Sequence, residues 1–157
     1  MTDVATAVWT PPRDRGSVSE ASARIGSGDV VWRRATAELM RWAVKTRSGF
    51  SVPTAAPVAE GQRVTVIAHV GPIRIVEPVQ VVEVVAERTH MGFSYRTLPG
   101  HPVSGEEAFI LHRDGEDVHL TVRSLTRAAP RGGWRWVFPL LLIAQRIVRR
   151  RYLRALR

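Results

Sequence analysis

The chain has 157 residues, 45% of them hydrophobic, which is enough for one compact domain with a real core. It contains no cysteine, which excludes disulfide scaffolds, zinc-thiolate and iron-sulfur sites, and cysteine nucleophiles. The formal charge of +9 is local: from residue 131 onward there are eight arginines and no acid, which leaves about +1 for everything before it.

Residues 1–10 lack the basic and apolar regions of a secretory signal. Residues 1–22, with Thr10-Pro11-Pro12 and little periodicity, read as a weakly ordered N-terminal arm ahead of a single domain over residues 23–157. Residues 23–25 suit a short first strand. Gly26-Ser27-Gly28 then breaks the chain; it lacks both glycine-rich phosphate-loop patterns and reads as a helix entry. Asp29 is placed as the N-cap of a helix running to about Lys45, with Val31, Trp32, Ala35, Leu39, Trp42 and Ala43 on its apolar side.

After a proline-containing linker, valine dominates. Residues 62–70 alternate, with Val64, Val66, Ala68 and Val70 on one face. Gly71-Pro72 turns the chain, and residues 73–76 and 79–87 form two strands separated by Pro78, which belongs at an edge, a bulge or a strand start. Residues 91–97, 106–112 and 117–126 complete an antiparallel series, with Asp114-Gly115 as the turn between the last two.

Residues 128–133 close the sheet region, and residues 134–157 are helical, with Pro139 near the start. Steps of 100° gather Leu140, Ala144, Ile147, Val148, Tyr152 and Ala155 on one face and Arg146, Arg149, Arg150, Arg154 and Arg157 on the other, with Arg151 intruding on the apolar side. Trp134, Trp136, Phe138 and Tyr152 are expected to anchor this helix in the core. The longest apolar run, residues 137–144, is far short of the roughly 20 residues that cross a bilayer. The order predicts an α+β fold in which a curved antiparallel sheet wraps around the long C-terminal helix, with one further helix near the N-terminus.

The segment with most chemical content is Gly92-Phe93-Ser94-Tyr95-Arg96-Thr97-Leu98-Pro99-Gly100-His101-Pro102-Val103-Ser104-Gly105-Glu106-Glu107-Ala108-Phe109. Two strands flank a loop that prolines and glycines fix and that presents His101. Glu107 alternates in phase with Phe109 and Leu111, so its carboxylate points toward apolar surroundings, where burial favours the proton-bearing form. Two readings stay open: His101, Glu107 and Tyr95 form an acid/base cluster at a pocket mouth, or Glu107 fastens the loop through backbone N–H groups and His101 is a turn residue. The five histidines lack the spacing of a zinc helix motif, although His112 and His119 flank one hairpin and can approach each other. No metal site or cofactor is expected.

This segment resembles the signature of the bacterial and plant domain-of-unknown-function family numbered nineteen-ninety, approximately G-F-x-Y-G-T-L-P-G-H-P-x-x-G-E-E-x-F. The likeness extends to Gly26-x-Gly28 before a helix ending near Trp42, the Gly61 strand entry and the helix from Gln145 to Tyr152. Arg96 stands where the family usually has glycine, and Leu125-Thr126-Arg127-Ala128 replaces an aromatic-serine-arginine-proline pattern. The family is similar in element order to the START-like helix-grip superfamily. The resemblance implies a cavity for hydrophobic ligands between sheet and terminal helix, with the signature loop near one end.

The leading functional expectation is a binding domain for a hydrophobic or lipid-like small molecule, with Tyr95, Arg96, His101, Glu106 and Glu107 as ligand-binding candidates. The second is an enzyme acting on a small hydrophobic substrate through His101 and Glu107, with Tyr95. The third is a peripheral binder of an anionic membrane, with nucleic acid the less favoured partner, through Arg146, Arg149, Arg150, Arg154 and Arg157. The chain is read as cytoplasmic, and as peripheral at a membrane in the third case.

Overall fold

A computed structural model describes residues 1–11, 16–54, 56–128 and 138–157, with side chains in the last stretch from Ile143 onward. The expected turn over residues 128–133 and the side chains of Trp134, Trp136, Phe138 and Leu140 fall largely or wholly outside what is described. The elements are β1 (Ser17–Ser27), α1 (Gly28–Leu39), α2 (Ala43–Thr46), β2 (Phe50–Ser51), β3 (Arg63–Val70), β4 (Ile73–Ala86), β5 (His90–Thr97), β6 (Val103–Asp114), β7 (Asp117–Ala128) and α3 (Phe138–Tyr152).

The strands form one curved antiparallel sheet in the order β1-β7-β6-β5-β4-β3-β2. Neighbours in sequence from β3 to β7 are neighbours in space, as the alternation and the turn residues predicted. β1 and β2 occupy opposite edges, so the helical segment between them carries the chain from one edge to the other. Its apolar residues Trp32, Ala35, Leu39 and Trp42 join Phe93, Phe109, Leu120, Val122, Tyr152 and Leu156 in one buried cluster. The inward faces of the strands, α1, α2 and the end of α3 therefore share a core, which is the predicted sheet around a terminal helix.

Four local differences from the expected elements bear on the site. First, the helix predicted to continue to Lys45 stops at Leu39 and restarts at Ala43, because Trp42 adopts a left-handed backbone (φ 62°). Such a conformation is costly for a bulky residue, and it is held here by the Trp42 ring, which meets Phe93 edge-on at 4.9 Å and Tyr95 at 6.0 Å. Second, Ser27 takes the N-cap position, while Asp29 sits in the first turn and binds Arg113 at 2.5 Å. Third, β4 runs unbroken through Pro78. The β4–β5 ladder ends at Val79↔Thr97, so Pro78 lies where only β3 pairs with the strand and a missing donor is tolerated.

Fourth, the N-terminal residues pack rather than dangle. β1 begins at Ser17, six residues before the expected strand, and pairs with β7 from Ser17↔Thr126. The described residues near the N-terminus pack on the outer face of the sheet, where Val4 is fully buried with Ala108 and Ile110. The buried Arg123 fastens them: its guanidinium donates to the carbonyls of Asp3, Thr6 and Ala7 and pairs with Glu20 at 2.9 Å. Thr2 and Val4 in turn donate their backbone N–H groups to Glu106 and Glu83, each at 2.9 Å.

Candidate functional site

The signature segment becomes β5, a tight loop and β6. Gly100 has φ 98°, a left-handed value that favours glycine, and the turn closes with His101 N–H donating to the Leu98 carbonyl at 3.2 Å. A Cβ on Gly105 would stand 1.8 Å from the Leu125 carbonyl oxygen, so that position demands glycine for space. The loop is fastened by Thr97, whose hydroxyl accepts the Gly105 N–H at 3.0 Å. Glu107 is thereby free of the loop-holding role.

Tyr95 and Glu107 lie directly opposite each other in the β5–β6 register, and Phe109 follows two residues on along the same face. The Tyr95 hydroxyl donates a short hydrogen bond to Glu107 Oε2. The same oxygen lies 3.0 Å from Lys45 Nζ, and Lys45 donates to the Tyr152 hydroxyl at 2.6 Å. The Lys45 side chain is only 4% exposed, and its ammonium stands 4.5, 5.0, 5.1 and 5.8 Å from the ring centroids of Phe50, Tyr152, Tyr95 and Phe109. Four π-faces and a carboxylate compensate a cation taken out of water.

This cluster forms one wall of a cavity of about 140 Å³ between the sheet and α3. The remaining walls include Ala68, Ile75, Glu77, His101, Pro102, Val103, Ser124, Thr126, Gln145, Val148 and Arg149. Both His101 and Glu107 line it, so the two side chains converge on a single concavity. Burial, followed by the Lys45 charge, lowers the His101 pKa to about 4, so the imidazole is neutral at ordinary pH. Its Nδ1 accepts the Val103 N–H at 3.1 Å, which puts the ring hydrogen on Nε2, 3.8 Å from Glu77 Oε2.

Burial also raises the pKa of Glu77, an effect that Lys45 opposes and Glu107 reinforces. It raises those of Tyr95 and Tyr152 as well, with the Glu107 charge adding to both, so both phenols keep their protons. The chamber thus holds hydroxyl donors, a charged pair and a neutral imidazole against aromatic and aliphatic walls.

Of the other sequence candidates, Glu106 and Arg149 also border this chamber and the rest lie apart from it. Arg96 is exposed on the outer face, donating to Gln80 at 2.8 Å. The Glu106 carboxylate, one residue out of phase with Glu107, faces the N-terminal residues and bonds Thr2. Arg146 and Arg150 on α3, and Arg154 and Arg157 beyond its end at Tyr152, are exposed as predicted, but Arg149 is half-buried and lines the cavity; Ile147, predicted inward, is exposed. His112 and His119 do meet, stacked at 5.2 Å across the β6–β7 pair. No group of three or more metal-ligating side chains converges among the described residues.

Lys45, Glu77 and Tyr152 are the site residues that sequence reasoning did not assign. Lys45 carried a signal, being the single lysine among 23 basic residues, but only the left-handed turn at Trp42 aims it inward. Glu77 shares a strand face with Val79 and Val81, a phase hidden once the strand was split at Pro78. Tyr152 was read as an anchor of α3; it is buried, and its hydroxyl also serves the cluster.

Residues 3–155 match the family described as Domain of unknown function (DUF1990). The chain belongs to this family. It is 34% identical over 147 residues to a UPF0548 protein of Deinococcus radiodurans, covering 85% of this chain and 73% of that one. Among solved structures, a hypothetical protein of Helicobacter pylori superposes with a TM-score of 0.64 at 10% identity, over 98% of this chain and 97% of that chain. The Zhui aromatase/cyclase of Streptomyces sp. R1128 gives 0.59 at 14% identity, over 88% and 92%. A START superfamily protein of Mycobacterium smegmatis gives 0.54 at 10% identity, over 85% and 92%. These likenesses show a shared START-like helix-grip fold, as the resemblance implied, and at such low identity they show the fold alone.

Proposed function

We propose that the protein is a binding domain for a small, largely apolar molecule carrying a polar group, held between the sheet and α3. The observation that carries this reading is the chamber itself, walled by aromatic and aliphatic side chains around the buried cluster of Lys45, Glu107, Tyr95 and Tyr152. Polar groups that serve packing alone are more cheaply replaced by apolar ones, and a buried ion pair beside an open chamber is where a ligand would be oriented.

The volume selects among ligands. An apolar cavity of about 150 Å³ accepts benzene, whereas pockets for drug-sized ligands run to roughly 300–1,000 Å³. At about 140 Å³ this chamber suits one ring rather than a lipid chain. Native mass spectrometry of protein purified gently from its own host tests the reading. A discrete mass addition of one small molecule, lost on denaturation, is the expected result; a protein that is always empty and whose melting temperature no ring-sized compound raises would refute it.

A second reading, catalysis on such a ligand, is favoured by the convergence of His101, Glu77 and Glu107 on one chamber, where the neutral imidazole has its Nδ1 engaged by Val103 and offers Nε2–H as a hydrogen-bond donor. A third role, attachment to an anionic membrane, draws support from exposed Ile143 and Ile147 beside exposed Arg146 and Arg150 on α3, a pattern suited to an interfacial helix. No helix among the described residues is long and apolar enough to cross a membrane.

A further inference from the structure

The hydrogens of the buried cluster do not all have acceptors. An ammonium carries three N–H donors and accepts nothing. Lys45 faces Glu107 Oε2 at 3.0 Å and donates to the Tyr152 hydroxyl at 2.6 Å, which leaves one N–H over. Because lysine cannot accept, Tyr152 must be the acceptor in that contact, and its own O–H hydrogen has to point elsewhere. No acceptor for it occurs among the described residues, although the side chain is only 2% exposed. A buried donor left unmade costs on the order of 1–3 kcal/mol; among the described residues the Tyr152 hydrogen has no acceptor and the third ammonium hydrogen meets only aromatic faces, so both gain from an acceptor entering from the chamber.

The two donor atoms are 2.6 Å apart and both residues line the cavity. One acceptor atom at ordinary hydrogen-bond distance from each can take both, completing a small triangle with them. Glu107 Oε2 is already held by Tyr95 and Lys45, and neither leftover hydrogen is hydrogen-bonded to its Oε1. The chemistry required is an oxygen with two lone pairs and no competing hydrogen, projecting from an apolar ring.

We propose that Lys45 and Tyr152 form a two-donor seat for a carbonyl oxygen, so that the ligand class is cyclic ketones and related ring carbonyls. This rests on the binding reading above and narrows it. The seat also has a chemical consequence: a cation and a phenol directed at one carbonyl oxygen draw electron density toward it and stabilise negative charge developing there. Nothing further is needed for binding alone.

The test uses cyclohexanone and methylenecyclohexane, isosteres that differ by C=O against C=CH₂, with the full-length protein. Binding of each is measured by competition or by ligand-observed NMR, in wild type and in Tyr152→Phe, whose fold is checked by thermal melting. Cyclohexanone affinity should fall about tenfold in Tyr152→Phe while methylenecyclohexane affinity changes less than about twofold, as expected for loss of one hydrogen bond. A second readout needs no variant: the ¹³C resonance of the bound ketone carbon should move downfield of its position in water. If both compounds bind but the variant affects them equally, or the resonance moves upfield as in an apolar solvent, the seat is refuted and the cavity reading stands. If neither compound binds wild type, both fall.

Discussion

His101 makes the protein acid-labile by a predictable amount. Its pKa is about 4 in the folded chain against 6.5 in the unfolded one, so between those values the unfolded state binds a proton that the folded state refuses. The stability that this neutrality contributes is fully present above pH 6.5 and is lost as pH falls toward 4. At 1.36 kcal/mol per pKa unit, the loss is about 2 kcal/mol by pH 5 and about 3 kcal/mol by pH 4. Other groups tilt the same curve. Glu77, with a raised pKa, gains stability as pH falls, whereas Asp29 and Glu38, held low chiefly by hydrogen bonds from Arg113 and Arg47, lose it. The difference between wild type and His101→Asn isolates the imidazole, since asparagine can still offer an oxygen to the Val103 N–H. Urea denaturation followed by tryptophan fluorescence at pH 7, 5 and 4 measures both. The variant's stability should fall about 3 kcal/mol less than wild type across that range, and the measurement is repeated with Glu77→Gln to remove the neighbouring carboxyl. Parallel curves for wild type and His101→Asn would mean that the imidazole titrates normally, and the account of a buried neutral histidine would be wrong.

Other expectations follow from the same contacts. Lys45→Met strands Glu107 without its cation and should cost roughly 3–5 kcal/mol in urea denaturation, while Lys45→Met combined with Glu107→Gln should recover much of the loss. Gly105→Ala drives a Cβ into the β7 backbone and should either lower the stability by more than about 3 kcal/mol or prevent soluble expression. Deleting residues 1–11 uncovers Ala108 and Ile110 and leaves the buried Arg123 with Glu20 but without its three carbonyl acceptors, so the melting temperature should drop by more than about 10 °C. Replacing Arg146, Arg150, Arg154 and Arg157 by glutamine should abolish any low-salt retention on anionic vesicles without shifting the melting temperature by more than about 3 °C, because these side chains are exposed.

The sheet was legible because β-strands write their burial at every second residue. Val64, Val66 and Ala68, then Glu107, Phe109 and Leu111, announce their face without help from the rest of the chain. The same alternation placed Glu107 toward the apolar side before any geometry was known. What stayed hidden depended on non-local partners. β1 is rich in serine and alanine and pairs only because β7 offers it an edge, and residues 1–11 are ordered by an arginine more than a hundred residues away. Lys45 eluded assignment for a different reason: an extension of α1 at 100° per residue takes no account of a left-handed residue at Trp42, which tryptophan adopts only under tertiary constraint.

That turn also sets how freely the family's sequences can vary in length. Connections between helices usually tolerate insertions, since a longer loop costs little. Here the three residues between Leu39 and Ala43 act as a spacer of fixed pitch. Each residue added to or removed from it would rotate α2 by about 100°, withdrawing the ammonium and presenting Val44 or Thr46 to the chamber instead. Relatives that keep a lysine at this point are therefore expected to keep the spacing too, and one that changes the spacing should have lost the charge at Glu107 as well.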